Sequence, residues 1–210
     1  MPHPPIKPDP AYLKAFATIM ARLGRALEST TRDAPVKACV AGGAAVHFYT
    51  GVRISKDIDA RVMARVLIDP ADLQVAYKGP DGHARLLYFD TQYNDSFALL
   101  HAHAYDEARP IALEGVDPRV LDVRLLTPLD LAVSKLARFS DQDQDDIRAL
   151  ARARLIEANA LRRRASDALP DYVGNLPRIR TSIDVAAAIV VKETAGKPTK
   201  KSARGAGAPS

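Results

Sequence analysis

One cysteine is all the chain has. Cys39 can form no disulfide within the chain, and a lone thiol fits a reducing compartment, so the sequence predicts a cytoplasmic protein. It stands in the apolar run VKACVA and reads as a buried small side chain rather than a nucleophile. Long apolar runs are also missing. None approaches the ~18 to 20 residues that span a bilayer, so no membrane partner is expected. The first ten residues, MPHPPIKPDP, are Pro-rich and have no apolar core. That argues against a secretory signal and predicts a flexible N-terminus over 1–10. A zinc-ligand set is lacking as well. His101-Ala102-His103 puts two imidazoles on one side if extended, but no cysteine or nearby histidine completes four ligands. No internal repeat is visible.

Strong charge is absent from the body of the chain. The net charge is +5, but residues 191–210, VKETAGKPTKKSARGAGAPS, set Lys192, Lys197, Lys200, Lys201 and Arg204 against Glu193 alone. The rest is nearly neutral. A Lys/Gly/Ala/Pro tail cannot bury enough apolar surface to order itself, so 193–210 is expected to be a disordered basic tail. It either solubilises the protein or makes salt-sensitive contacts with RNA or DNA phosphates. What the chain does have is apolar residues, 47% of 210, enough for a sizeable core.

The apolar positions of 11–29, Leu13, Phe16, Ile19, Met20, Leu23 and Leu27, recur at helical spacing. VKACVA, 36–41, reads as a buried strand broken by Gly42 and Gly43. AAVHFYT then continues as a helix ending near Gly51. DIDARVM, 57–63, reads as a strand with two acids at its start. LQVAYKG and ARLLYFD flank Pro80-Asp81-Gly82, a hairpin signal. A loop or short helix around 94–108 leads to PIALEG and RVLDVRLL, read as two further strands. Thr127-Pro128-Leu129-Asp130 then combines a hydroxyl N-cap, an N1 proline and an early acid. From there to about 192 the pattern is helical. The expected fold class is α/β (α+β): a mixed β-sheet flanked by helices over 11–126, then a helical C-terminal part over 127–192.

Side chains two apart on a strand share a face, so Asp57 and Asp59 are expected to project together. Two like charges so close repel unless a cation lies between them, and Mg²⁺ takes carboxylate oxygens. The alternative is an ordinary solvated strand. The glycines bear on the choice. They let backbone approach a ligand, and the start of the following helix offers free N–H groups, a natural seat for phosphate. Strand, helix start, helix and acid-bearing strand would bring both features to one end of a sheet.

Gly-Gly, a helix and then Asp-x-Asp on a strand resembles the polymerase-beta-like minimal nucleotidyltransferase superfamily. The wider string GGAAVHFYTGVRISKDID looks most like the branch containing the AbiEii-type toxins and related uncharacterised bacterial proteins. The family's pattern continues with a lysine-bearing helix and an Arg/Asp-rich stretch. LAVSKLARFSDQDQDDI matches that with Lys135, Arg138, Asp143 and Asp146. The resemblance covers roughly 36–150. It implies a nucleotidyltransferase-like fold and transfer of an NMP from an NTP to an RNA, such as a tRNA, or to a protein. The setting it implies is toxin–antitoxin or phage defence, with a cognate antitoxin or toxin partner.

The resemblance also implies roles. Asp57, Asp59 and a third carboxylate would hold Mg²⁺ or Mn²⁺ and form the catalytic set. Asp90, closing ARLLYFD, is the choice for the third, with Asp122 as rival and Asp95 behind it. Gly42 and Gly43 would cradle phosphates. Arg53, Ser55 and Lys56 would contact phosphate or acceptor, and Lys135 would reach the triphosphate. Asp143 and Asp146 read as structural partners of Arg138, Arg148 or Lys135. Tyr88, Tyr93 and Tyr105 read as packing residues, and Arg162-Arg163-Arg164 as a solvated helix face. One departure stands out. Related toxins often carry Ser or Thr beside the glycines, and this chain has Gly43-Ala44-Ala45. The departure favours a second reading, a non-catalytic member of the fold acting as a binding or antitoxin-like module. A third reading is a structural α/β protein in which the DID is accidental.

Overall fold

The apolar stripe of the first helix sets the layout. In the computed structural model, which describes residues 3–28, 34–64, 68–96 and 98–195, α1 (Pro10–Glu28) buries Phe16, Ile19, Met20, Leu23 and Leu27. This face lies on β4 (Gln74–Lys78) and β5 (Ala84–Phe89). The preceding segment, read as flexible, is hydrogen-bonded in place. Lys7 N–H donates to Phe48 C=O at 2.7 Å, and Asp9 N–H donates to His47 Nε2 at 3.0 Å.

β1 (Val36–Val40) is almost wholly buried, and Cys39 with it, so desolvation pushes its thiol up to about 11. Gly42 and Gly43 open α2 (Gly42–Thr50), and Gly51 closes it in the left-handed conformation its missing side chain permits. The stretch expected as one strand over 57–63 is two. β2 (Asp57–Ile58) and β3 (Ala60–Val62) belong to different sheets, and Asp59 is the residue between them. One sheet has the order β3-β1-β7-β6, with β1 parallel to β7 (Leu121–Leu125) and antiparallel to β3. The other has the order β2-β5-β4, with β2 parallel to β5. The hairpin turns at Gly82, φ +78°. The expected strand PIALEG contributes only its first residue to β6 (Arg109–Pro110). The chain turns away at Gly115, φ +74°.

Thr127 caps α3 (Pro128–Ser134), its hydroxyl accepting from Asp130 N–H. α4 (Asp141–Arg152), α5 (Ala158–Ala168) and α6 (Leu176–Ala195) complete the helical part. α6 runs past the expected boundary at 192, and the basic residues from Lys197 onward lie outside the described residues. No helix among the described residues is long and apolar enough to cross a membrane. The fold is thus a mixed α/β module followed by helices.

Arg164, expected on a solvated face, is instead a clamp. Its Nε and Nη2 donate to the two oxygens of Asp130 at 2.7 and 3.0 Å, and Thr127 Oγ1 donates to the same carboxylate at 2.7 Å. Asp130 is 1% exposed. Its removal leaves the half-buried guanidinium only its ion pair with the half-exposed Glu107, at 2.9 Å. Asp130→Ala is expected to lower the unfolding free energy by about 1.5–3 kcal/mol, the loss of charge-assisted hydrogen bonds. Asp130→Leu/Arg164→Met, which leaves only Glu107 without its partner, should recover most of it. Urea denaturation of both variants checks this, and equal losses would contradict it.

Candidate active site

The end of β1, the start of α2 and the ends of β2 and β5 open into one cleft of about 800 Å³, closed on the far side by α3 and α4. Its wall brings together Gly42, Gly43, Arg53, Asp57, Asp59, Asp90 and Lys135, with Tyr93, Asp95 and Arg138 beside them. Asp90 arrives by strand register. β2 and β5 pair Asp57 with Tyr88 and Ile58 with Phe89, and Asp90 N–H donates to Ile58 C=O at 3.1 Å. That sets Asp90 at the level of Asp59. The rival Asp122 pairs with Lys37 in the register of β1 and β7, away from the cleft, and is held by Arg124 at 2.7 Å. Asp95 lies on the wall but is occupied by Arg61. Lys56 is exposed and outside the wall. Ser55 is buried and donates its hydroxyl to Asp57.

The glycines have a steric reason to be where they are. Gly42 sits at φ +57°, and a Cβ there would fall 1.8 Å from an Asp59 carboxylate oxygen. A Cβ on Gly43 would meet the Arg53 guanidinium and the Ser55 hydroxyl, both at 2.8 Å. The pair makes room for functional side chains, whatever its backbone also does. Asp59 is anchored through its carbonyl, which accepts from Ala41 N–H at 2.8 Å.

The electrostatics divide the cleft. No salt bridge among the described residues engages Asp57, Asp59 or Asp90. Burial first, then the charges of Asp57 and Asp90, push the Asp59 carboxyl up to about 6, against the pull of Lys135 and Arg138. The cations are paired elsewhere. Lys135 Nζ and Arg53 Nη1 each lie 2.6 Å from Asp146 Oδ2. Arg138 holds Asp143 through two bonds of 2.7 Å. Burial opposes the ionised form of Asp143, but Arg138 and Ser140 hold it down at about 2. The pairing of Asp143 with Arg138 and of Asp146 with Lys135 follows the sequence pattern. Arg53 on Asp146 has no sequence signal, because the partners lie 93 positions apart. Gln92 and Asn94, also on the wall, had none either.

Three carboxylates without cationic partners are a hard-cation donor set. Their side chains stand apart: among the described residues no three His, Cys, Asp or Glu side chains are close enough to share one ion. The His101 and His103 rings lie 5.5 Å apart, tilted by 50°, with His101 half-buried and His103 exposed.

A glycine-started helix at a mixed-sheet end, beside a cleft lined by acids and cations, is consistent with a nucleotidyltransferase-like fold. The chain belongs to the family described as nucleotidyltransferase of unknown function (DUF6036), whose model matches residues 18–181. No curated protein and no solved structure matches it.

Two outcomes follow from this geometry. Gly42→Ala should cost about 2 kcal/mol or more, since it adds backbone strain to a clash, whereas Gly43→Ala, which clashes with the Arg53 and Ser55 side chains but adds no backbone strain, should cost less. Thermal unfolding ranks the two, and equal costs would contradict it. The second concerns pH. Folded Asp59 keeps its proton up to about pH 6, against a usual value of 3.8. Its favourable contribution is therefore present below about pH 4 and is lost as pH rises through 6, leaving a cost above it. Asp59→Asn should stabilise the metal-free protein at pH 8 by about 1–2 kcal/mol, below the roughly 3 kcal/mol ceiling of a two-unit shift because the cleft is open to solvent. It should change little at pH 4. Urea midpoints at both pH values in chelator check this, and a loss at pH 8 would contradict it.

Proposed function

We propose that the protein is a nucleotidyltransferase that moves an NMP from an NTP to an RNA, with tRNA a natural acceptor, or to a protein. The observation that carries the reading is the lining of the cleft: Asp57, Asp59 and Asp90, which no salt bridge among the described residues engages, line it together with Arg53, Lys135 and Arg138, in a chain of a nucleotidyltransferase family. Asp57, Asp59 and Asp90 would hold Mg²⁺ or Mn²⁺, which when bound supplies neutralisation of phosphate charge and activation of the acceptor hydroxyl. Arg53, Lys135 and Arg138 offer donors to the triphosphate. The N–H groups at the start of α2 add partial positive charge. Ser55 fixes one oxygen of Asp57 and so orients the other toward the cleft. The half-buried Asp90 and Tyr93 line the same wall where an acceptor would approach.

The AbiEii-type likeness of the Gly-Gly and Asp-x-Asp stretch supports a toxin–antitoxin or phage-defence setting, with a cognate partner, as the finer form of this reading. A second reading, a catalytically inactive binding or antitoxin-like module, draws on two observations. The three acids stand apart, and Ala44 replaces the hydroxyl residue that related toxins often carry beside the glycines.

The experiment incubates the protein with each labelled NTP, Mg²⁺ or Mn²⁺, and total bacterial RNA or cell protein. Label should pass to one acceptor class, and Asp57→Asn/Asp59→Asn should reduce it on the order of a hundredfold. Transfer that survives in the double variant would sink the assignment of these acids. Metal-dependent NTP binding without transfer would favour the second reading.

A further inference from the structure

Two cations on the cleft wall share one carboxylate oxygen. Lys135 Nζ and Arg53 Nη1 both sit 2.6 Å from Asp146 Oδ2, and Lys135 lies a further 3.7 Å from Asp143 Oδ1. Asp146 and Lys135 are 1% and 6% exposed. Arg53 comes from the loop after α2, Lys135 from the end of α3 and Asp146 from α4, so three elements are tied at a single atom. Asp57, Asp59 and Asp90 line the same cleft, and among the described residues no salt bridge engages them.

Opposite charges across an open cleft attract. A lysine on a flexible stem is a mobile point charge, and without a closer anion it would swing toward the acids and close the site on itself. Asp143 holds Lys135 only at 3.7 Å and has both oxygens bonded to Arg138, so Asp146 is the nearer counter-charge. Arg53 is further fixed against Gly43, whose missing Cβ leaves the space its guanidinium fills. One buried carboxylate between two cations leaves that group of three with a net positive charge. That charge faces the cleft.

We propose that Asp146 is a positioning residue: it holds Lys135 and Arg53 off the three acids and presents both to the phosphates of the incoming nucleotide. The inference rests on the nucleotidyltransferase reading of the cleft. Asp146 touches neither nucleotide nor metal; it acts through its two partners. This gives a counter-intuitive sign. Removing a negative charge beside an anion site should strengthen anion binding by simple Coulomb attraction, but removing a positioning group should weaken it.

The test is a double-mutant cycle on the full chain, with Asp146→Asn, Lys135→Met and the two combined. Calorimetry reads the affinity for inorganic tripolyphosphate in the presence of magnesium. Asp146→Asn should raise Kd at least about tenfold in the wild type and clearly less in the Lys135→Met background, where only Arg53 is left for it to position. The NTP-transfer assay of the same variants should show the loss in KM rather than in kcat, whereas a merely structural role would lower the active fraction and leave KM unchanged. Should Asp146→Asn fail to fold, Lys135→Met and the combined variant still decide the matter, since the combined variant removes opposite charges together. Unchanged or tighter binding in Asp146→Asn, or an equal extra loss in the Lys135→Met background, overturns the proposal. Wild-type protein that binds no triphosphate overturns the nucleotidyltransferase reading itself, and this inference with it.

Discussion

The site depends on a contact that exists only because an atom is missing. Asp59 stands where one strand segment leaves the β2-β5-β4 sheet and the next enters the β3-β1-β7-β6 sheet. Its carboxylate occupies the space that any side chain at Gly42 would claim. The junction of the sheets, the start of α2 and the most perturbed acid of the cleft are therefore one steric arrangement. A backbone at φ +57° is open to glycine at little cost and to few other residues. Local chain geometry and site chemistry are not separable here.

Around that point the protein keeps opposite charges apart, which an open polar cleft does not do unaided. The acids come from strand ends and the cations from the loop after α2 and the segment that follows α3, while the counter-charges that hold the cations are on α4. Each buried carboxylate of α4 is saturated with donors: Asp143 by Arg138 and Ser140, Asp146 by Lys135 and Arg53. Saturation matters because a buried charge with a partner missing is costly. The three acids of the cleft are left unsaturated, and the raised proton affinity of Asp59 is the physical expression of that imbalance.

The sequence made the regular parts legible, because they rest on short-range rules. The stripe of α1, the hairpin at Gly82, the Gly51 cap and the Thr127 cap each lie within a few residues of their cause. The placement of Asp90, rather than Asp122, in one cleft with Asp57 and Asp59 was legible too, since a strand of known length delivers its last residue to a known sheet end. Three things were not. The break at Asp59 hides inside a stretch, DIDARVM, whose residues all suit a strand; what divides it is competition between two sheets. The clamp of Arg164 on Asp130 and the sharing of Asp146 by Arg53 and Lys135 join residues far apart in the chain. The phosphate role read into Gly42 and Gly43 missed their more immediate task, because sequence gives no hint of which side chains will press against them.

The parallel pairing of β1 with β7 has a consequence for how the protein is made. β1 is a central strand, and its neighbours are β3, soon after it, and β7, which follows the entire remaining strand-bearing part of the chain. On a ribosome the N-terminal half emerges first, so one flank of the apolar segment VKACV stays unpaired until the codons for β7 have been read. Pairing across such a separation is slow to form, and an open apolar edge is a template for any passing strand. The protein's exposure to aggregation is therefore greatest during its own translation, and it ends only when β7 docks.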